Sequence, residues 1–265
     1  MGRKSLFELI NNAKKEEKDY ASEFLTDLTY SIEKWDKINE HESSKTISPS
    51  SMKCFRAMVF KLMGKPKDKE KRSYQLIDIC ANGSSRHEAL QQMIHNMKNL
   101  GIDCEYINVK DYVEKNNLPL RIGKASDFDR GEFETHLYSD KYCASFLCDG
   151  VLKYKGKYFI LEIKTESASK FMKQKDVMEE HKNQATAYSL FLGIPDVMFL
   201  YENRDLLNKK VYVYTPTKQD KHNLACTILD AIKHAKDNKI PDKPVDAGKE
   251  LCKYCSYKEV CDEFS

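Results

Sequence analysis

The chain has 265 residues, 41% hydrophobic and 32% charged, enough for one substantial core with a small appendage. A net charge of +3 does not by itself mark a nucleic-acid binder, and no apolar run approaches the roughly 20 residues that span a bilayer, so no membrane partner is expected. The start, Met1-Gly2-Arg3-Lys4-Ser5-Leu6, lacks an apolar signal core and has leucine where a myristoylation pattern needs Ser or Thr. The nine cysteines are therefore expected as reduced thiols or metal ligands in a cytosolic protein.

Residues 1–46 read as a helical N-terminal extension. Tyr20, Phe24, Leu28, Ile32 and Trp35 recur at helical spacing, a face expected to be core packing. From 47 to 265 the chain reads as one domain, with a cysteine-rich tail at 249–265. Ile47-Ser48-Pro49-Ser50-Ser51 signals a helix start, a hydroxyl cap followed by proline. That helix would carry Cys54 in its first turns and stop at Gly64. Lys65 to Arg72 is expected as a solvated basic linker. Ser73 to Leu100 reads as a second long helix, interrupted near Gly83, with His87, Leu90 and Ile94 on one stripe. A lone helical histidine is more often structural than functional.

Ile102 to Val109 is expected as a strand and Asp111 to Asn117 as a short helix. Phe133 to Tyr138 reads as a strand turning at Ser139-Asp140 into the strand that carries Asp149. Glu132 and Glu134 lie on its first strand, and either could approach Asp149. The most informative stretch is Leu147 to Thr165, two apolar runs around Lys155-Gly156, which is a hairpin signal. With the turn there, Tyr154 faces Lys157 and Asp149 falls opposite Glu162, where Cβ atoms are about 5 Å apart. Lys164 shares that face, and Ile163 points the other way. An acid pair beside a lysine suits a divalent-metal phosphodiesterase, because hard oxygen ligands favour Mg²⁺ or Mn²⁺. The plainer alternative is a solvent-facing polar stripe.

Asp176 to Leu192 is expected as a helix with Gln184 and Tyr188 on one face. Val197 to Tyr201 and Lys210 to Tyr214 read as strands. Thr215-Pro216 opens a helix that buries Leu224, Ile228 and Ile232. In the tail, Cys252 and Cys255 are separated by two residues, and Cys261 follows after five. A tetrahedral sulfur site needs a fourth ligand, the tail holds no other cysteine or histidine, and Cys54 is the candidate. The alternative is a set of unrelated buried thiols. Cys80, Cys104, Cys143, Cys148 and Cys226 lack ligand spacing and are read as core residues.

The ordered set His87, Asp149, Glu162-Ile163-Lys164 and Gln184-Ala185-Thr186-Ala187-Tyr188 resembles the PD-(D/E)xK nuclease superfamily, in its branch with a QxxxY motif found in bacterial recombination helicase–nucleases. With Cys54 and the Cys252/Cys255/Cys261 tail it is similar to the iron–sulfur members, the CRISPR-associated exonucleases and their phage relatives. Ser145-Phe146-Leu147-Cys148 precede Asp149 where the family usually has glycine. The resemblance implies an α/β, restriction-endonuclease-like core, a mixed central sheet with an antiparallel meander flanked by helices.

It implies that His87, Asp149, Glu162 and the backbone carbonyl of Ile163 bind Mn²⁺ or Mg²⁺, that Lys164 positions or activates the attacking water, and that Gln184 and Tyr188 contact DNA near the scissile phosphate. Cys54, Cys252, Cys255 and Cys261 would hold a [4Fe–4S] cluster. The expected activity is exonuclease action on single-stranded DNA or DNA ends in a bacterial or phage-infected host cytosol. Lys170, Lys173, Lys175 and Lys182 would line the DNA path. The family also allows a homo-oligomer, or a recombination- or CRISPR-type protein partner. Two other readings are a non-catalytic nucleic-acid-binding module of this fold and a zinc-stapled structural protein.

Overall fold

The structure is a computed structural model that describes residues 6–38, 44–68, 72–123, 133–244, 252–253 and 255–264. Its contacts divide the chain into two compact units, Met1–Glu42 with Glu70–Asn82, and Ser43–Lys69 with Gly83–Ser265.

The smaller unit is built on α1, Leu6–Ile38, and the first turns of α3, Tyr74–His95. Glu33 accepts the Tyr74 backbone N–H at 3.1 Å, and Arg72 pairs with Asp36. The amphipathic face expected to pack does not: Tyr20, Phe24 and Trp35 are each about 70% exposed. The two and a half turns of α3 in this unit cannot enclose a helix of 33 residues. No described helix is long and apolar enough to cross a membrane.

The larger unit is a mixed α/β fold, a five-stranded mixed sheet flanked by helices, as expected of a restriction-endonuclease-like core. The sheet order is β1 (Cys104–Ile107), β5 (Gly150–Tyr154), β6 (Lys157–Glu166), β7 (Val197–Asn203), β8 (Lys209–Tyr214). The β6–β7 pair is parallel and the others antiparallel. A parallel pair needs a crossover, which α5 (Ala168–Lys173) and α6 (Glu179–Leu192) supply. A second sheet joins β2 (Arg121–Ile122), β3 (Thr135–Ser139) and β4 (Ala144–Cys148).

Lys155 and Gly156 both have positive φ, 48° and 77°, as a two-residue hairpin turn of primed type requires. The turn sets the β5–β6 register from Tyr154↔Lys157 to Gly150↔Leu161. Alternation along β6 then divides its side chains between two cores. Ile160 joins α6 residues Ala185, Tyr188 and Leu192 on one side. Leu161 and Ile163 join Leu90 of α3 on the other.

Four local expectations are corrected. The strand through Asp149 is not continuous: β4 ends at Cys148, β5 starts at Gly150, and the two lie in different sheets. Gly150 has φ of 152°, and a Cβ there would lie 2.6 Å from the Tyr106 ring, so the chain turns through a glycine under an aromatic side chain. Cys54 is the N-cap of α2 (Phe55–Met63) rather than part of its first turns, because Pro49–Ser51 forms a separate 3₁₀ turn. Helix α3 runs through Gly83 unbroken. Among the five cysteines read as core, Cys104 and Cys148 are buried, Cys143 is half-buried, and Cys80 and Cys226 are exposed.

The tail folds against α2. Arg56 is buried and its guanidinium donates to the carbonyls of Cys261 and Phe264 at 3.1 and 2.9 Å. Asp68 accepts the backbone N–H of Glu259 near the start of α8 (Lys258–Glu263). Phe60, Tyr257 and Val260 form a small apolar cluster beneath.

Candidate active site

Asp149 occupies the break between the two sheets, and almost everything around it serves to fix it. The Ile163 backbone N–H donates to its Oδ2 at 2.6 Å. Its carbonyl accepts from the Gln91 amide at 2.8 Å and the Tyr106 hydroxyl at 2.5 Å. Its Oδ1 is left 3.4 Å from Nδ1 of His87. His87 sits one helical turn before Gln91 on α3, so the bond that holds Asp149 also sets the distance of the imidazole. Arg86 gives α3 a second anchor, a bidentate pair at 2.8 and 2.9 Å with Glu202 at the end of β7. Neither Gln91 nor Arg86 stood out in the sequence. Gln91 is detectable only as the residue four after His87.

Glu162 and Lys164 lie on the β6 face that meets α6. The Lys164 ammonium donates to Glu162 Oε1 at 2.5 Å and to the Gln184 carbonyl oxygen at 3.1 Å. The Gln184 amide donates to the same Glu162 oxygen at 2.8 Å. Tyr188 stands behind Gln184, with its hydroxyl 2.9 Å from that amide and donating to the Leu147 carbonyl at 2.8 Å. Tyr188 is buried, so it orients Gln184 and offers no surface to a ligand. The structure thus brings Glu162, Lys164, Gln184 and Tyr188 into one hydrogen-bonded group, and sets Asp149, with His87 at its other oxygen, beside that group through the Ile163 N–H.

The electrostatics follow from burial. Glu162 is buried, which pushes its carboxyl up to about 7 despite the pull of Lys164. Burial works to lower the Lys164 ammonium, but the Glu162 charge and hydrogen bond outweigh it and the net shift is upward. His87 follows the same logic: burial lowers it, the Asp149 contact raises it, and the upward shift wins. Such a group favours a cation that would relieve the carboxylates.

Among the described residues, the ligand atoms of His87, Glu134 and Asp149 all lie within 4.8 Å of one another. Glu132, its expected competitor, is outside the described residues. Of the basic residues, Lys170 lies 4.0 Å from Glu166 and 3.7 Å from Glu180, and Lys182 pairs with Glu179 at 2.7 Å. Lys173 and Lys175 are exposed.

Cys54, Cys252, Cys255 and Cys261 line one cavity with Ala57, Phe60 and Tyr257. Burial pushes the Cys255 thiol up, and the other three cysteines add to the shift.

Residues 148–262 match the model of the PD-(D/E)XK nuclease superfamily. The matched stretch spans Asp149, Glu162, Lys164, Gln184, Tyr188 and the tail cysteines, but not His87, Glu134 or Cys54. No curated protein matches the chain. Among solved structures, the crystal structure of SSO0001 is similar over 89% of this chain and 96% of that one, at 13% identity and a TM-score of 0.45.

Proposed function

We propose that the protein is a metal-dependent DNA exonuclease acting on single-stranded DNA or DNA ends, with residues 47–265 as the nuclease domain and 1–46 as an extension. The superfamily match suggests metal-dependent nuclease activity, and such nucleases use Mg²⁺ or Mn²⁺. The observation that carries the reading is the pairing of Glu162 with Lys164 and Gln184 on β6, with the Asp149 carboxylate tied at the seam of the two sheets to the N–H of Ile163, the residue between them.

The donor set fits a divalent ion: carboxylate oxygens and one imidazole, with the nitrogen favouring Mn²⁺ at least as much as Mg²⁺. His87, Asp149, Glu162 and the Ile163 carbonyl would hold it, and when bound it polarises the phosphate and acidifies a water. The protein's own share is placement and charge. Ile163 N–H and the Gln91 and Tyr106 contacts keep Asp149 in one orientation. Lys164 donates into the space beside Glu162, where it holds a water for in-line attack and offsets charge on the phosphate oxygens. Gln184 shares Glu162 with Lys164 and, steadied by Tyr188, positions both beside the scissile bond. Lys173 and Lys175, with Lys170 and Lys182, line the approach of the strand.

The four thiols around one cavity also fit a metal group. Thiolates take either zinc or iron, and the resemblance to iron–sulfur nucleases favours a [4Fe–4S] cluster, which would tie the tail to α2.

The test is end-labelled single-stranded DNA incubated with Mn²⁺ or with chelator, alongside Lys164→Ala. Degradation with Mn²⁺ and sparing in the other two reactions is expected. Equal cleavage by the variant would remove the site assignment, and binding without cleavage would favour a nucleic-acid-binding module of the same fold.

A further inference from the structure

We infer that Glu134 is a metal-holding carboxylate of this site, so that Asp149 has an acidic neighbour in each of the two sheets. The inference rests on the nuclease reading above and adds to its ligand set. The β3–β4 ladder ends at Thr135↔Cys148 and the β5–β6 ladder at Gly150↔Leu161. One further step along the first brings Glu134 across from Asp149; one further step along the second brings Glu162. Asp149 thus lies between the last pairs of the two ladders, and the two registers carried one residue further set Glu134 and Glu162 on either side of it.

The contacts divide these carboxylates unequally. Asp149 commits Oδ2 to the Ile163 N–H and turns Oδ1 toward His87. Glu162 commits Oε1 to both Lys164 and Gln184. The atoms that converge are those of His87, Glu134 and Asp149, all within 4.8 Å of one another. An octahedral ion with bonds of about 2.1 Å holds its donors roughly 3 to 4.2 Å apart, so this triplet closes on one ion with small side-chain movements. Surface acids often gather without an ion. Here, though, the donors come from α3, the entry to β3 and the buried sheet break, and one of them is an imidazole.

The experiment measures Mn²⁺ uptake by electron paramagnetic resonance of the free ion, on the full chain without DNA. Wild type, Glu134→Gln, Glu134→Asp and Asp149→Asn are compared, with thermal unfolding in EDTA as the check on folding. Glu134→Gln is expected to weaken Mn²⁺ binding at least tenfold while its unfolding midpoint in EDTA stays at the wild-type value, with Glu134→Asp in between. Its cleavage of labelled DNA is expected to recover as Mn²⁺ is raised. Wild-type affinity in Glu134→Gln, with loss in Asp149→Asn, overturns the inference and leaves the nuclease site standing. A wild-type chain that takes up no Mn²⁺ overturns both.

Discussion

The backbone N–H of Ile163 reaches across the hairpin to Oδ2 of Asp149 at 2.6 Å. A carboxylate tied to the main chain of the neighbouring strand has one orientation, and its second oxygen is aimed by default toward His87. Substitution by asparagine can keep the main-chain bond, since the amide oxygen also accepts, yet it removes the charge. Asp149→Asn is therefore expected to fold normally and to lose at least about 100-fold in cleavage, a loss of the size seen when a charge-stabilising group is removed from an active site. Steady-state rates with Mn²⁺, with unfolding curves for both proteins, check this. A variant that unfolds early would mean that the charge serves the fold.

Lys164 and Gln184 share one oxygen of Glu162, which predicts a coupled result. Removing the lysine takes away both the cation and the hydrogen bond that hold down a carboxyl already pushed up to about 7 by burial. In Lys164→Met that carboxyl moves further up, so residual cleavage is expected to need a higher pH than wild type. Lys164→Arg keeps the charge and is expected to restore the pH profile in part. Rate profiles from pH 6 to 9 decide the point, and coincident profiles for all three proteins would break the link.

What could be read beforehand divides along sequence separation. The Lys155-Gly156 hairpin, the Glu162/Lys164 face and the Gln184/Tyr188 pair follow from local periodicity, and the structure places them together. The break at Asp149 was not legible, because it depends on Gly150 yielding to the ring of Tyr106, 44 residues earlier in the chain. Glu134 was one of two candidates. The choice turns on a longer bend than Ser139-Asp140: β3 and β4 close at Ser139↔Ala144, which sets the register. The anchoring of α3 by Arg86 and Glu202 joins residues 116 apart and leaves no periodic trace. The apolar stripe of α1 was legible as a pattern but not as exposed, since burial depends on what lies opposite.

That Arg86–Glu202 anchor carries a pH prediction. Glu202 is fully buried, and burial alone would raise its carboxyl, but hydrogen bonds from Arg86 and Lys209 bring it below the usual 4.5. A lowered folded pKa means that its contribution is complete above about 4.5 and is lost as pH falls through the depressed value. Glu202→Gln leaves Arg86, whose side chain is a quarter exposed, without its charged partner and is expected to cost about 2 kcal/mol at pH 7, as for lost hydrogen bonds to a charged group. The difference from wild type should shrink on acidification to pH 3. Chemical denaturation at both pH values measures it. A constant difference would show that packing, rather than charge, holds α3 to β7.

The last prediction concerns the tail. Arg56 donates to the carbonyls of Cys261 and Phe264, so it holds the final turns against α2 whether or not the four thiols are bridged. Arg56→Met keeps the apolar stem and removes the donors, leaving two carbonyls to find water. Cys54→Ser removes one thiol from the cavity and leaves Arg56 in place. If a cluster ties the tail, Cys54→Ser purified without oxygen is expected to lose most of its iron and visible absorbance, whereas Arg56→Met keeps iron but is cut faster by protease near Cys261. Cys80→Ser, at an exposed position that does not line that cavity, is expected to match wild type in both assays. Iron-free wild-type protein with a protected tail would show that Arg56 and the Phe60–Tyr257 contact suffice, and the thiols would then be packing residues.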